Sequence, residues 1–109
     1  MNISEKEMMK KRQGTSFKGY LIAKYSDLIS TFGNPITNTD NYKTDVEWII
    51  NTPHGIATIY NYKDRKSYLG SDGLDVTNIY EWHVGGKNTE TYVYIKNEVL
   101  KYITNRLRN

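Results

Sequence analysis

The sequence has no cysteine, 2 prolines and 2 phenylalanines among its 109 residues. Without cysteine there is no disulfide and no thiolate metal site, so stability must come from a packed core. With only 2 histidines, a His-rich zinc site is also excluded. No apolar run approaches the ~20 residues that a membrane-spanning helix needs. The mean hydropathy is −0.70. No G-x-S-x-G elbow, no G-x-x-x-x-G-K-[ST] loop and no Ser/His/acid spacing is present, which removes the common signatures of nucleophilic catalysis and of a P-loop. The aromatic content is not low. At 13%, with 10 tyrosines, it argues against disorder. A chain of this length forms one domain around a single modest core.

Lys and Arg number 15 against 12 Asp and Glu, a net charge of +3. A surplus this small permits weak nucleic-acid binding without requiring it. The basic residues gather at Lys10-Lys11-Arg12, at Lys63, Arg65 and Lys66, and at Arg106 with Arg108. Residues 1–13 read as a polar arm, and 14–109 as the folded domain. The arm has no apolar core of signal-peptide length, and the chain has no cysteine, which together predict a cytoplasmic protein.

Periodicity predicts an α+β domain. Phe17 to Ala23 reads as a strand with Phe17, Gly19, Leu21 and Ala23 on one face and Tyr20 and Ile22 on the other. Tyr25 to Phe32 reads as a helix with a Leu28, Ile29, Phe32 stripe, ended by Gly33 and Pro35. Thr44 to Asn51 alternates as a strand, with Val46, Trp48 and Ile50 facing the core. A turn at Thr52-Pro53-His54-Gly55 leads to a return strand, Ile56 to Lys63. A longer connection, 64–78, precedes a strand from Ile79 to Val84, which is stopped by Gly85-Gly86. A last helix follows from about Glu90 to Arg106, capped by Asn88 or Thr89. The expected order is β-α-β-β-β-α, an antiparallel sheet of about four strands with two helices. Trp48 and Trp82 are expected to be buried together against the last helix.

Three regions could carry chemistry. At Gly85-Gly86-Lys87 a strand runs through two glycines and a cation toward a helix start, the ingredients of an anion or phosphate nest. The plain alternative is a sharp strand-to-helix turn. On the polar sheet face, Asp45, Glu47, Glu81 and His83 share one side, and Asn61 can join them. Such a set could bind a divalent cation or transfer protons, or it could simply be solvated. Along Tyr60, Tyr62, Lys63 and Arg65, rings alternate with cations in the manner of single-strand binders, or the tyrosines only fill a strand.

Several segments resemble one pattern. These are Gly14-Thr15-Ser16-Phe17-Lys18-Gly19-Tyr20, Tyr25-Ser26-Asp27-Leu28 through Phe32-Gly33-Asn34-Pro35, Tyr42 to Trp48, Ala57 to Lys63, and Trp82-His83-Val84-Gly85-Gly86. The pattern is similar to that of a family of small proteins of tailed phages and large DNA viruses. The resemblance spans about residues 14 to 100. It implies a virus-encoded protein in the host cytoplasm and carries over no catalytic or binding residue. The leading expectation is an accessory protein that binds a host protein or a small anionic ligand such as a nucleotide, without catalysis and without a cofactor. The alternatives are a metal-assisted hydrolase or nucleotide-cleaving enzyme built on His83 and its carboxylates, and a single-stranded nucleic-acid binder or virion structural protein.

Overall fold

The computed structural model describes residues 10, 13–37, 46–61 and 79–108. The elements are β1 (Ser16–Ile22), α1 (Tyr25–Phe32), β2 (Ile36–Thr37), β3 (Val46–Thr52), β4 (Gly55–Tyr60), β5 (Glu81–Gly86) and α2 (Thr89–Arg108). The four expected strands and two helices are present in the expected order, and the two-residue β2 is added at one edge. The sheet runs β1-β5-β4-β3-β2 with every neighbouring pair antiparallel. Both helices cover one face. Asp45, Tyr62, Lys63, Arg65 and the connection 64–78 lie outside the described residues, as does most of the arm.

Local chemistry sets the helix ends. The Lys24 backbone N–H that opens α1 donates to Asp27 Oδ2 at 3.2 Å, which satisfies one of the donors a helix start leaves over. Gly33 ends the helix at φ 86°, a value costly for any residue with a Cβ, and its N–H returns to the Ile29 carbonyl at 2.8 Å. The Gly33 carbonyl then accepts from Trp48 Nε1 at 2.8 Å, tying the helix end to β3. At α2 the cap is Asn88, whose Oδ1 accepts the Thr91 N–H at 3.0 Å. Asp27, itself buried, meets Arg106 Nε at 3.3 Å and links the two helices.

The core lies between the sheet and the helices. Leu21, Trp48, Ile59, Trp82 and Val84 from the sheet join Leu28 of α1 and Ile95 and Val99 of α2 in one buried cluster. Trp48 and Trp82 are 2% and 0% exposed and meet edge to face at 5.4 Å between centroids. Tyr25 of α1 stacks on Trp82. Each buried indole removes roughly 150–250 Å² from water, worth about 4–6 kcal/mol at the usual coefficient. The two tryptophans therefore dominate so small a core. Trp82 Nε1 donates to the Ala23 carbonyl at 3.0 Å, so the ring's one polar atom is satisfied.

Three sequence-based expectations need correction. Phe17 does not share a face with Gly19 and Leu21. The β1–β5 register shifts between Phe17 and Gly19, a bulge at Lys18, so Phe17 turns to the side of Tyr20 and His83. The strand expected from Ile79 begins instead at Glu81, and Tyr80 lies just before it, exposed. Gly85 and Gly86 do not stop β5. They are its last two residues, paired on both sides, with Phe17 and Thr58 flanking Gly85 and Ser16 and Ala57 flanking Gly86.

Candidate functional site on the open face of the sheet

The helices leave the second face of the sheet to carry polar and aromatic side chains. Because side chains alternate along each strand, register alone assembles two rows across this face. Glu47, Tyr60, His83 and Tyr20 stand side by side on β3, β4, β5 and β1. The adjoining row is Ile49, Thr58, Gly85 and Phe17. His83 sits inside a ring cluster. It stacks on Tyr60 at 5.4 Å and 21°, and lies 5.1 Å from the Tyr20 ring and 5.5 Å from the Phe17 ring. Phe17 and Tyr20 also meet edge to face at 5.1 Å. These are distances at which aromatic quadrupoles attract.

Gly85 leaves a gap in this layer. A Cβ at that position would lie 2.7 Å from Thr58 Oγ1 and 3.3 Å from the Ser16 carbonyl oxygen, so any side chain would fill the space above it. The gap is a cleft of about 230 Å³. Its floor is Gly85 and Thr58, its aromatic walls are Phe17 and Tyr60, and Glu47 stands beside Tyr60. Thr15 and Ser16 close the opposite end. Glu47 is only 4% exposed although it faces away from the helices, whereas Phe17 and Tyr20 are 48% and 50% exposed. At the Ser16 end, Lys18 Nζ donates to Ser16 Oγ at 3.0 Å. Partial burial among the rings lowers the His83 pKa from its ordinary 6.5, because desolvation disfavours the imidazolium, and the nearby Glu81 carboxylate offsets part of that effect.

The anion nest expected at Gly85, Gly86 and Lys87 has no geometric basis. A nest needs consecutive N–H groups turned inward by alternating backbone conformations. Here both glycines are in a central strand, and neither has positive φ. Gly86 instead admits α2, since a Cβ there would lie 1.9 Å from Thr91 Oγ1. Lys87 turns to the chain itself. Its Nζ donates to the Gln13 carbonyl, its N–H donates to the Ile56 carbonyl at 3.2 Å, and its stem packs beside Gly55. The Asn88 amide donates to the His54 carbonyl at 3.0 Å, so this corner ties α2 to the β3–β4 turn.

The acidic set is only partly brought together. Glu47 and His83 share a row, but Tyr60 stands between them, two strand spacings or about 10 Å apart at Cα. Asn61 does not join them. It is opposite Val46, one step out of phase, and its Oδ1 accepts the Val46 N–H at 2.9 Å. Among the described residues, no three of His, Cys, Asp and Glu come together to hold a metal. Tyr60 does take part in the ring cluster, while Tyr62, Lys63, Arg65 and Asp45 lie outside the described residues.

Phe17, Tyr20 and Thr58 were not singled out by sequence reasoning. Thr58 is two residues before Tyr60, so alternation alone puts it beside that ring. Tyr20 was legible as lying opposite Leu21. Phe17 was hidden by the bulge, which leaves no clear mark in one sequence. Among the described residues no helix is long and apolar enough to cross a membrane. Comparison with family models, with curated proteins and with solved structures finds no match to this chain.

Proposed function

We propose that the chain is a small binding protein that acts without catalysis, and that its ligand is a nucleotide whose base lies in the cleft over Gly85. One observation carries this reading. Phe17 and Tyr60 wall a gap whose floor lacks a side chain, on the face of the sheet away from the helices. A planar heterocycle is the shape such a gap accepts, and stacking on aromatic side chains is worth about 1–3 kcal/mol per base. The phosphate then leaves the cleft at the Thr15 and Ser16 end. Among the described residues the cleft offers rings, hydroxyls and one carboxylate, but no group of three metal ligands. The resemblance to small viral proteins is the support for a setting in the host cytoplasm, where sequestering a nucleotide needs no turnover.

The test is calorimetric titration of AMP, GMP, CMP and UMP into wild type and Tyr60→Ala. At least one nucleotide binds wild type in the millimolar range or below, and Tyr60→Ala weakens it by about 5- to 150-fold, the loss of one stacking partner. If no nucleotide binds wild type, the reading fails. A protein partner is the second reading, favoured by a groove of about 480 Å³ between β1 and α2 flanked by the exposed Ile22 and Leu100.

A further inference from the structure

We infer that a second copy of this chain docks along the outer edge of β1, so that the two sheets join into one across a two-fold axis. This goes beyond the reading of the cleft and does not depend on what the cleft binds. β1 stands at one end of the sheet order, and among the described residues no strand covers its outer side. One bond fixes which backbone groups point that way. The Ala23 N–H donates to the Tyr80 carbonyl at 2.9 Å, and in an antiparallel pair the bonded positions alternate. Leu21 therefore turns its N–H and carbonyl to β5, while Tyr20 and Ile22 turn theirs outward. The Tyr92 hydroxyl, reaching the Tyr20 carbonyl at 2.7 Å, comes from that outer side. Edge strands are ordinarily blunted by charge, proline or a bulge. The bulge at Lys18 blunts the start of β1, but Tyr20-Leu21-Ile22 carries none of the three.

These outward groups are complementary to a copy of themselves. In an antiparallel pair centred on Leu21, Tyr20 of each copy stands opposite Ile22 of the other, and each such pair exchanges two N–H···O bonds. The Tyr20 carbonyl keeps its bond to Tyr92, because a carbonyl oxygen has two lone pairs. Apolar surface lies beside this edge. Tyr20, Ile22 and Leu100 line the groove between β1 and α2, and Leu107 follows Leu100 about two helical turns later. Tyr20 is 50% exposed, Ile22 66%, Leu100 61% and Leu107 73%. At roughly 150–250 Å² for a large side chain, the four present about 400–600 Å². A specific dimer of standard size buries about 800 Å² per copy, a little over half of it apolar, so the extent matches. The charged residue among those lining the groove, Lys96, rests its ammonium 5.1 Å over the Tyr92 ring. Strand pairing and apolar contact, rather than charge, therefore select the occupant.

Sedimentation of the full chain tests this, with Ile22→Pro and Leu100→Glu as variants. Proline removes an N–H that points away from β5, so the internal ladder is kept while the outer pairing is lost. Leu100 is exposed, and glutamate there sets like charges across the axis. Far-UV circular dichroism checks that each variant is folded. At about 100 µM, wild type is expected to sediment as twice the 12.7 kDa of one chain, and each variant largely as one. Loss of the Ile22 bonds in both copies should weaken the dimer at least about 30-fold. Hydrogen exchange then reads the edge itself. The Tyr20 and Ile22 amides should exchange about 5-fold or more slowly in wild type than in Leu100→Glu, whatever the folding of Ile22→Pro. A wild-type monomer at about 100 µM overturns the inference. So does a dimer that survives both substitutions, or one in which those two amides gain no protection.

Discussion

Gly86→Ala tests directly how the sheet and α2 fit together. The new methyl group would stand 1.9 Å from Thr91 Oγ1 and 3.0 Å from Thr91 Cβ. The backbone at Gly86 does not have positive φ, so alanine meets no conformational penalty and the cost is one of space. Thr91 has no easy escape. It is fully buried, and its hydroxyl donates to the Asn88 carbonyl at 2.6 Å while its own N–H holds the cap. Either the first turn of α2 lifts from β5 or the hydroxyl bond breaks. Overpacking costs about 1–3 kcal/mol, and losing a buried hydrogen bond adds about 1 kcal/mol. The sum is about 2–4 kcal/mol. At about 4–8 °C per kcal/mol for a domain of this size, Tm should fall by about 8–32 °C. Far-UV circular dichroism reads the melt, and urea unfolding should show a lower midpoint with an unchanged slope. Adding Thr91→Ala removes the closest atom and should recover part of the loss, a coupling that independent sites would not show. A Gly86→Ala protein that melts within about 2 °C of wild type would refute the close helix–sheet contact.

Trp82→Ala should cost about 3–5 kcal/mol, because it removes a fully buried ring and leaves the Ala23 carbonyl without its indole donor. Chemical denaturation measures this, and a loss under about 1 kcal/mol would contradict the packing described. For His83, the folded pKa lies below the ordinary 6.5. The unfolded chain therefore binds more protons between those two values, and stability should fall as pH drops from 6.5 through the folded pKa. Urea midpoints between about pH 7.5 and 5 should show that decline in wild type and a flatter profile in His83→Gln. Lys87→Ala should leave nucleotide affinity unchanged and cost little stability, since its ammonium bonds the Gln13 carbonyl at an exposed corner. Weaker nucleotide binding by that variant would return the site to the helix start.

The elements that periodicity defines were legible in the sequence. α1 matches its expected span, Tyr25–Phe32, because the apolar stripe, the Gly33 stop and Pro35 all agree. Trp48 and Trp82 fell on the helix-covered face because side chains alternate along a strand and the β3–β4 and β4–β5 pairings run without a register shift. The alternation also placed Glu47 and His83 together on the open face. Two things were not legible, and both depend on partners distant in sequence. One is the bulge at Lys18, which moves Phe17 across the sheet; a bulge depends on β5 as much as on β1. The other is the role of the two glycines. Gly-Gly before a helix reads as a turn, but Gly85 and Gly86 are small because Thr58 crowds one and Thr91 the other. Sequence spacing cannot show that pressure from opposite faces of the same strand. Asn61 was misplaced for a simpler reason, since Tyr60 occupies the open-face position and period 2 sends its neighbour inward.

Amide chemical-shift mapping by NMR tests the central claim most directly. Isotope-labelled protein is titrated with GMP and the perturbed backbone amides are located. The shifts should concentrate at Phe17, Thr58, Tyr60, His83 and Gly85, around the cleft on the open face, with Glu47 beside them. Residues Lys87 to Thr91 at the start of α2 should move little. Shifts centred on Lys87 to Thr91, or no shifts at millimolar GMP, would contradict a nucleotide site over Gly85.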